Sequence, residues 1–142
     1  MTALALPRPI VNRLLAEAQQ HPDTEVCGLI GARDGHAVSV YPVPNVSPDP
    51  GRLFDMDPRA LIEAMRTLRE RGERLHAIYH SHPHAPAEPS GEDLRQAAYP
   101  EAAYLIISLD TKGVLEMRAW RLNGQQADEI ELDLEEMHAP EA

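Results

Sequence analysis

Aromatic side chains are scarce in this 142-residue chain, with one Trp, one Phe and four Tyr. The core must therefore be built mainly from aliphatic groups, which the 43% hydrophobic content supplies. Cysteine is nearly absent: Cys27 stands alone, so no internal disulfide can form, and a cytoplasmic location is expected. No apolar run approaches the roughly 20 residues needed to span a bilayer. Residues 1–7 lack a basic region and are followed by Pro9 after Pro7, a pattern that predicts no signal peptide. Cations are also few, 13 Lys and Arg against 23 Asp and Glu, for a net charge of −10. Phosphate binding needs clustered Lys and Arg, so neither a nucleic acid nor an anionic membrane is the expected partner. The acidic balance reads equally as solubility or as steering of a basic partner.

The length fits one domain over residues 1–142, with 1–7 and 136–142 expected to fray. Ile10, Val11, Leu14, Leu15 and Ala18 recur at helical spacing, predicting a first helix that stops near His21-Pro22. Glu25–Ile30 and Ala37–Val43 read as paired strands around Asp34-Gly35, the second marked as an edge by Pro42 and Pro44. Asp57-Pro58 is an N-cap followed by Pro at N1, opening a second helix through Leu61, Met65 and Leu68 to Gly72. Leu75–His80 is a short apolar strand, and Gly91–Ala98 a short helix ended by Pro100. Tyr104–Leu109 is continuously apolar and predicts a central strand, hairpinned through 110–113 to Val114–Leu122. Ile130, Leu132 and Leu134 alternate with acids in a last, half-exposed strand. The expected fold is an α/β sandwich: one mixed, mostly antiparallel sheet with two longer helices and one short one.

Chemistry concentrates at His80-Ser81-His82-Pro83, with Ser90 and Asp93 following in the spacing H-x-H-x7-S-x2-D. Strand side chains alternate, so His80 and His82 leave one side of the backbone about 7 Å apart, within reach of a common ion. Two imidazoles and a carboxylate suit zinc, and three protein ligands leave a fourth position open, as in catalytic sites. Pro83, Pro86 and Pro89 stiffen the loop that returns the chain to Ser90 and Asp93. Ser90-x-x-Asp93 also reads as a capping box, and capping does not exclude ligation.

A catalytic zinc needs a base that is not a ligand. The H-E-x-x-H signature is absent, as is the H-x-E with downstream P-C-x-x-C of zinc deaminases. Glu25, at the head of the apolar run Val26–Gly31, is the best candidate; its bland alternative is a solvated strand-end carboxylate.

These residues together resemble the JAMM motif of the JAB1/MPN/Mov34 metallopeptidases. Glu25-Val26-Cys27-Gly28-Leu29 and Phe54-Asp55-Met56-Asp57-Pro58 are similar to the compact prokaryotic branch in particular. The resemblance runs from about residue 8 to about residue 122. It implies an MPN/JAMM-like fold, one Zn2+ per chain on His80, His82 and Asp93, Glu25 as base, and Ser90 as oxyanion donor. It also implies a metallopeptidase acting on a peptide or isopeptide bond at the Gly-Gly tail of a ubiquitin-like or sulfur-carrier protein. The extended segment Leu53–Met56 is the candidate edge for that tail.

Two other readings stay open: a non-catalytic MPN scaffold, and a zinc hydrolase of a small amide. The sequence does not fix the oligomeric state, and a homodimer is retained. Cys27 and His84 lie close enough in sequence to join the site; the expectation is a small buried hydrophobe for Cys27 and a loop or substrate contact for His84.

Overall fold

The computed structural model describes residues 3–110 and 115–135. The elements run β1 (Leu4–Pro7), α1 (Arg8–Gln20), β2 (Cys27–Arg33), β3 (His36–Val43), α2 (Pro58–Glu70) and β4 (Arg74–His82). They continue with α3 (Gly91–Gln96), β5 (Ala103–Ser108), β6 (Glu116–Asn123), β7 (Gln126–Ile130) and β8 (Leu132–Glu135). Six strands form a sheet in the order β3-β2-β4-β5-β6-β7, with β4–β5 its one parallel pair. The mixed, mostly antiparallel sheet with three helices is the expected architecture.

Local chemistry accounts for most boundaries. Asp34 and Gly35 both have positive φ (53° and 80°), the twist that joins β2 to β3 in a two-residue turn. Pro42 lies in β3, an edge strand, where its missing N–H leaves no ladder bond unmade. Asp57 caps α2 by accepting from Ala60 N–H at 2.9 Å. Helix α3 stops at Gln96, two residues before the expected end. Ala97 is extended, and the N–H groups of Ala98 and Tyr99 both donate to Tyr104 Oη instead of continuing the helix.

Two corrections concern the chain ends. Residues 1–7 are expected to fray, yet Leu4–Pro7 forms β1 and pairs in parallel with β8. Leu4 and Leu6 are buried, and that apolar gain holds the segment in place. The last acidic-faced strand is two strands: the chain leaves the main sheet after Ile130, and β8 joins β1 in a separate ribbon. The expected frayed tail from residue 136 and the expected hairpin connection beyond residue 110 lie outside the described residues.

The sheet separates two apolar layers. One packs Ile10, Val11, Leu14 and Ala18 of α1 with β1 against Ile30, Tyr79, Leu105 and Ile107. The other packs Ala64 of α2 and Ala87 against Leu29, Ile78, Ile106 and Trp120. Strand β5 is buried along its whole length, as its unbroken apolar run predicts. No helix among the described residues is long and apolar enough to cross a membrane.

Candidate metal centre

Strand β4 ends in the two histidines, and they project where the sheet carries the second layer. His80 Nε2 lies 3.1 Å from His82 Nε2, and Asp93 Oδ2 lies 3.2 and 3.1 Å from them. Glu25 completes the cluster: one donor atom from each of the four residues falls within 4.8 Å of the others. All four residues are buried.

The triangle tests whether these residues suit a metal. Donors about 2.0–2.1 Å from a tetrahedral ion lie about 3.3 Å apart, close to the observed edges. The protonation pattern agrees. His82 Nδ1 donates to the Pro86 carbonyl at 2.7 Å, so in the neutral imidazole Nε2 carries the lone pair. That lone pair faces a second imidazole nitrogen and a carboxylate oxygen. Without a metal, burial lowers the His82 pKa but the bonds to Asp93 and Pro86 outweigh it and raise it, a proton taking the place a cation would fill. His80 Nδ1 is buried without a hydrogen-bond partner, so nothing in the protein holds a proton on that nitrogen against one on Nε2, and a metal ion among the three atoms would use the Nε2 lone pair. Burial pushes the His80 pKa down, keeping its imidazole neutral and able to coordinate. At Asp93 burial alone would raise the pKa, but the two imidazoles and the Ser90 N–H hold the carboxyl well below its usual range. The residues fit a metal ion.

Glu25 lies just ahead of β2, which begins at Cys27 and not at Glu25 as the apolar run suggests. Its N–H donates to Pro50 O at 2.7 Å, and its carbonyl accepts from Asn45 Nδ2 at 2.9 Å. Its buried carboxylate oxygen Oε1 has no protein partner. Burial pushes its carboxyl up to about 8. This holds for the site without a metal; a cation at the neighbouring donors would lower it.

Ser90 caps α3 in fact. Its Oγ accepts from Asp93 N–H at 3.0 Å, and Asp93 Oδ2 accepts from Ser90 N–H at 2.8 Å. The cap uses the hydroxyl as acceptor only, and Ser90 is exposed, so the hydroxyl hydrogen remains available to donate outward. Asp93 Oδ2 thus serves the cap and the cluster with one atom.

The loop between β4 and α3 is gripped by three successive carbonyls. Ala85 O accepts from Ser108 Oγ (2.7 Å), Pro86 O from His82 Nδ1, and Ala87 O from Trp120 Nε1 (3.0 Å). The donors come from β5, β4 and β6, three neighbouring strands of the sheet. Arg118 adds an ion pair to Glu88 at 3.1 Å. Sequence reasoning missed Ser108 and Trp120; a serine ending a buried strand and a lone tryptophan were the only signals. It also missed Ser81, whose Oγ accepts from Val26 N–H at 2.9 Å.

Beside the cluster lies a groove of about 410 Å³, walled by Phe54, Met56, Leu61, Ile78, Tyr99 and Tyr104, with His80 and Asp93 also in its lining. Phe54 stacks on the His80 ring at 4.3 Å. Cys27 and His84 stay outside the donor cluster. Cys27 Sγ contacts Val43 O at 3.3 Å and burial pushes the thiol up to about 12, an inert small core residue. His84 is exposed and lies 3.9 Å from Asp23.

Residues 7–123 match the family model described as prokaryotic homologs of the JAB domain. A probable TtuB-protein conjugate cleaving protease of Thermus thermophilus is 36% identical over 107 residues, 75% of this chain and 71% of that protein. A CysO-cysteine peptidase of Mycobacterium bovis is 29% identical over 122 residues, 84% of this chain and 82% of that protein. The solution structure of a Desulfitobacterium hafniense protein superposes with a TM-score of 0.82 at 36% identity, covering 94% of this chain and 93% of that one.

Proposed function

The chain belongs to the prokaryotic JAB-domain family of JAMM/MPN proteins, and from that premise we propose a zinc metallopeptidase that hydrolyses a peptide or isopeptide bond at the Gly-Gly tail of a sulfur-carrier or ubiquitin-like protein. One observation carries the reading: three metal-type donors and a fourth, protonatable carboxylate converge in a buried cluster that opens on an apolar groove.

His80 Nε2, His82 Nε2 and Asp93 Oδ2 would hold the zinc. When bound, the ion supplies a Lewis acid and lowers the pKa of water towards about 7. Glu25, whose buried Oε1 has no protein partner, takes the proton of the attacking water and returns it to the leaving amine. The Ser90 hydroxyl donates to the oxygen on which negative charge develops. Phe54 and Met56 form a wall against which an extended tail can lie, and glycines let its backbone come close. The relatives named for TtuB-protein conjugates and for CysO-cysteine support a modifier-tail substrate. The scaffold reading is disfavoured because the motif residues are all present and four of them converge. A cytoplasmic, single-domain enzyme is part of the same proposal.

The test uses modifier proteins extended beyond Gly-Gly by a short peptide, or joined there to a lysine side chain. Mass spectrometry should show a cut after the second glycine, lost on chelation and restored by zinc. The protein as purified should contain one zinc per chain, and His82→Ala much less. Equal zinc in both proteins would sink the ligand assignment, and no cleavage of any extended tail would favour the scaffold.

A further inference from the structure

Asn45, in the loop after β3, bonds to four backbone groups with one side-chain amide. Its Nδ2 donates to Glu25 O at 2.9 Å and to Leu53 O at 3.0 Å. Its Oδ1 accepts from Ser47 N–H at 3.0 Å and Asp55 N–H at 2.9 Å. A primary amide has two donor hydrogens and two acceptor lone pairs, so its capacity is filled and its orientation leaves no choice. One side chain therefore ties its own loop to two other parts of the chain, residue 25 and residues 53–55.

What those segments carry makes the junction more than a loop staple. The first ends in Glu25. The second, Leu53 to Asp55, brackets Phe54, the groove residue that stacks on His80. Directly beyond it, Met56 bridges to the Asn45 backbone and lines the groove too. The same amide thus helps to hold both the backbone that carries the Glu25 carboxylate and the backbone that carries the groove wall.

We propose that Asn45 is a positioning residue that couples the tail-binding wall to the base, acting on turnover through Glu25 and on substrate affinity through Phe54 and Met56. The inference rests on the reading of Glu25 as base. It predicts that a tail pressing on the 53–56 segment shifts the same amide that orients Glu25.

A double-mutant cycle on the zinc-loaded protein, with a modifier carrying a C-terminal extension as substrate, tests this. Zinc content and thermal unfolding are measured on each preparation. Asn45→Ala should keep its zinc, lose about 10- to 100-fold in kcat, as a misplaced catalytic group does, and raise KM several-fold. In a Glu25→Gln background the same replacement should change kcat by no more than about twofold while the KM effect persists. An undiminished kcat effect in that background overturns the coupling and leaves the base assignment intact. Wild-type turnover in Glu25→Gln alone overturns the base assignment and the kcat half of the proposal with it. A lowered unfolding temperature with neither kinetic constant altered shows a merely structural loop staple. Asn45→Asp, the same shape but with an oxygen facing the two carbonyls, takes the place of Asn45→Ala if the latter does not fold, with the same outcomes expected.

Discussion

Ser81 and Val26 exchange two hydrogen bonds: Val26 N–H donates to Ser81 Oγ and Ser81 N–H donates to Val26 O, each at 2.9 Å. Ser81 stands between His80 and His82, and Val26 follows Glu25. The pair therefore fixes the segment that carries Glu25 to the strand that carries His80 and His82. Removing the hydroxyl in Ser81→Ala leaves a buried N–H without its acceptor, which costs about 1–3 kcal/mol. Denaturant unfolding should show that loss, with zinc content unchanged and turnover reduced. Unaltered stability would mean that Val26 finds another acceptor.

Glu25→Gln keeps the shape and removes the basicity. Turnover should fall roughly 10²–10⁴-fold with zinc retained; a fall within about threefold would assign the proton to another group.

The same variant has a pH signature in metal-free protein. Burial raises the carboxyl from 4.5 to about 8, so the folded state holds a proton that the unfolded state releases in between. The contribution of this group to stability is complete below pH 4.5 and is lost as pH rises towards 8. The wild-type minus Glu25→Gln difference in unfolding free energy should therefore decline across that window, with a slope of at most about 1.4 kcal/mol per pH unit. Urea titrations in chelator at several pH values measure it, and a difference independent of pH would contradict the burial argument.

Ser90→Asp separates capping from catalysis. Aspartate is an equally good N-cap, so thermal stability should hold. A carboxylate cannot donate to an oxyanion, so activity should fall at least the ~10²–10³-fold associated with one lost donor. Zinc content is checked first, because the new carboxylate would stand beside Asp93. A zinc-loaded, stable and active variant would confine Ser90 to the cap.

Trp120→Phe tests the carbonyl grip on the ligand loop. The ring remains in the apolar layer while the donor to Ala87 O is lost. Zinc affinity, measured by competition with a chelator, should weaken by about tenfold, the lower end for a group that orients a ligand indirectly. Unchanged affinity would leave the grip to Ser108 and His82.

The sequence disclosed what has a period or a fixed spacing. The two histidines could be placed on one side of a strand because strand side chains alternate. The Pro42 edge and the Asp57-Pro58 helix start rest on backbone chemistry carried by single residues. Asn45, Ser81, Ser108 and Trp120 were not readable in the same way. Each acts by a side-chain bond to a distant carbonyl or N–H, and such bonds leave no spacing in the chain. The boundary of β2 failed for a related reason: Glu25 and Val26 look like strand, but their partners are Pro50, Asn45 and Ser81.

The ribbon of β1 and β8 has a consequence for the order in which this molecule assembles. Its register, Leu4 opposite Leu132 and Pro7 opposite Glu135, joins segments separated by nearly the whole described chain. Contacts at such separation are entropically late, because the ends must be brought together before the bonds that hold them can form. The hairpin of β2 and β3 and that of β6 and β7 close over a few residues and can form early. The ribbon is thus the closing stitch, laid over α1 on the face of the sheet away from the metal cluster. Amide exchange should find it opening before β4 and β5, so the ribbon can loosen while the cluster of His80, His82 and Asp93 stays assembled.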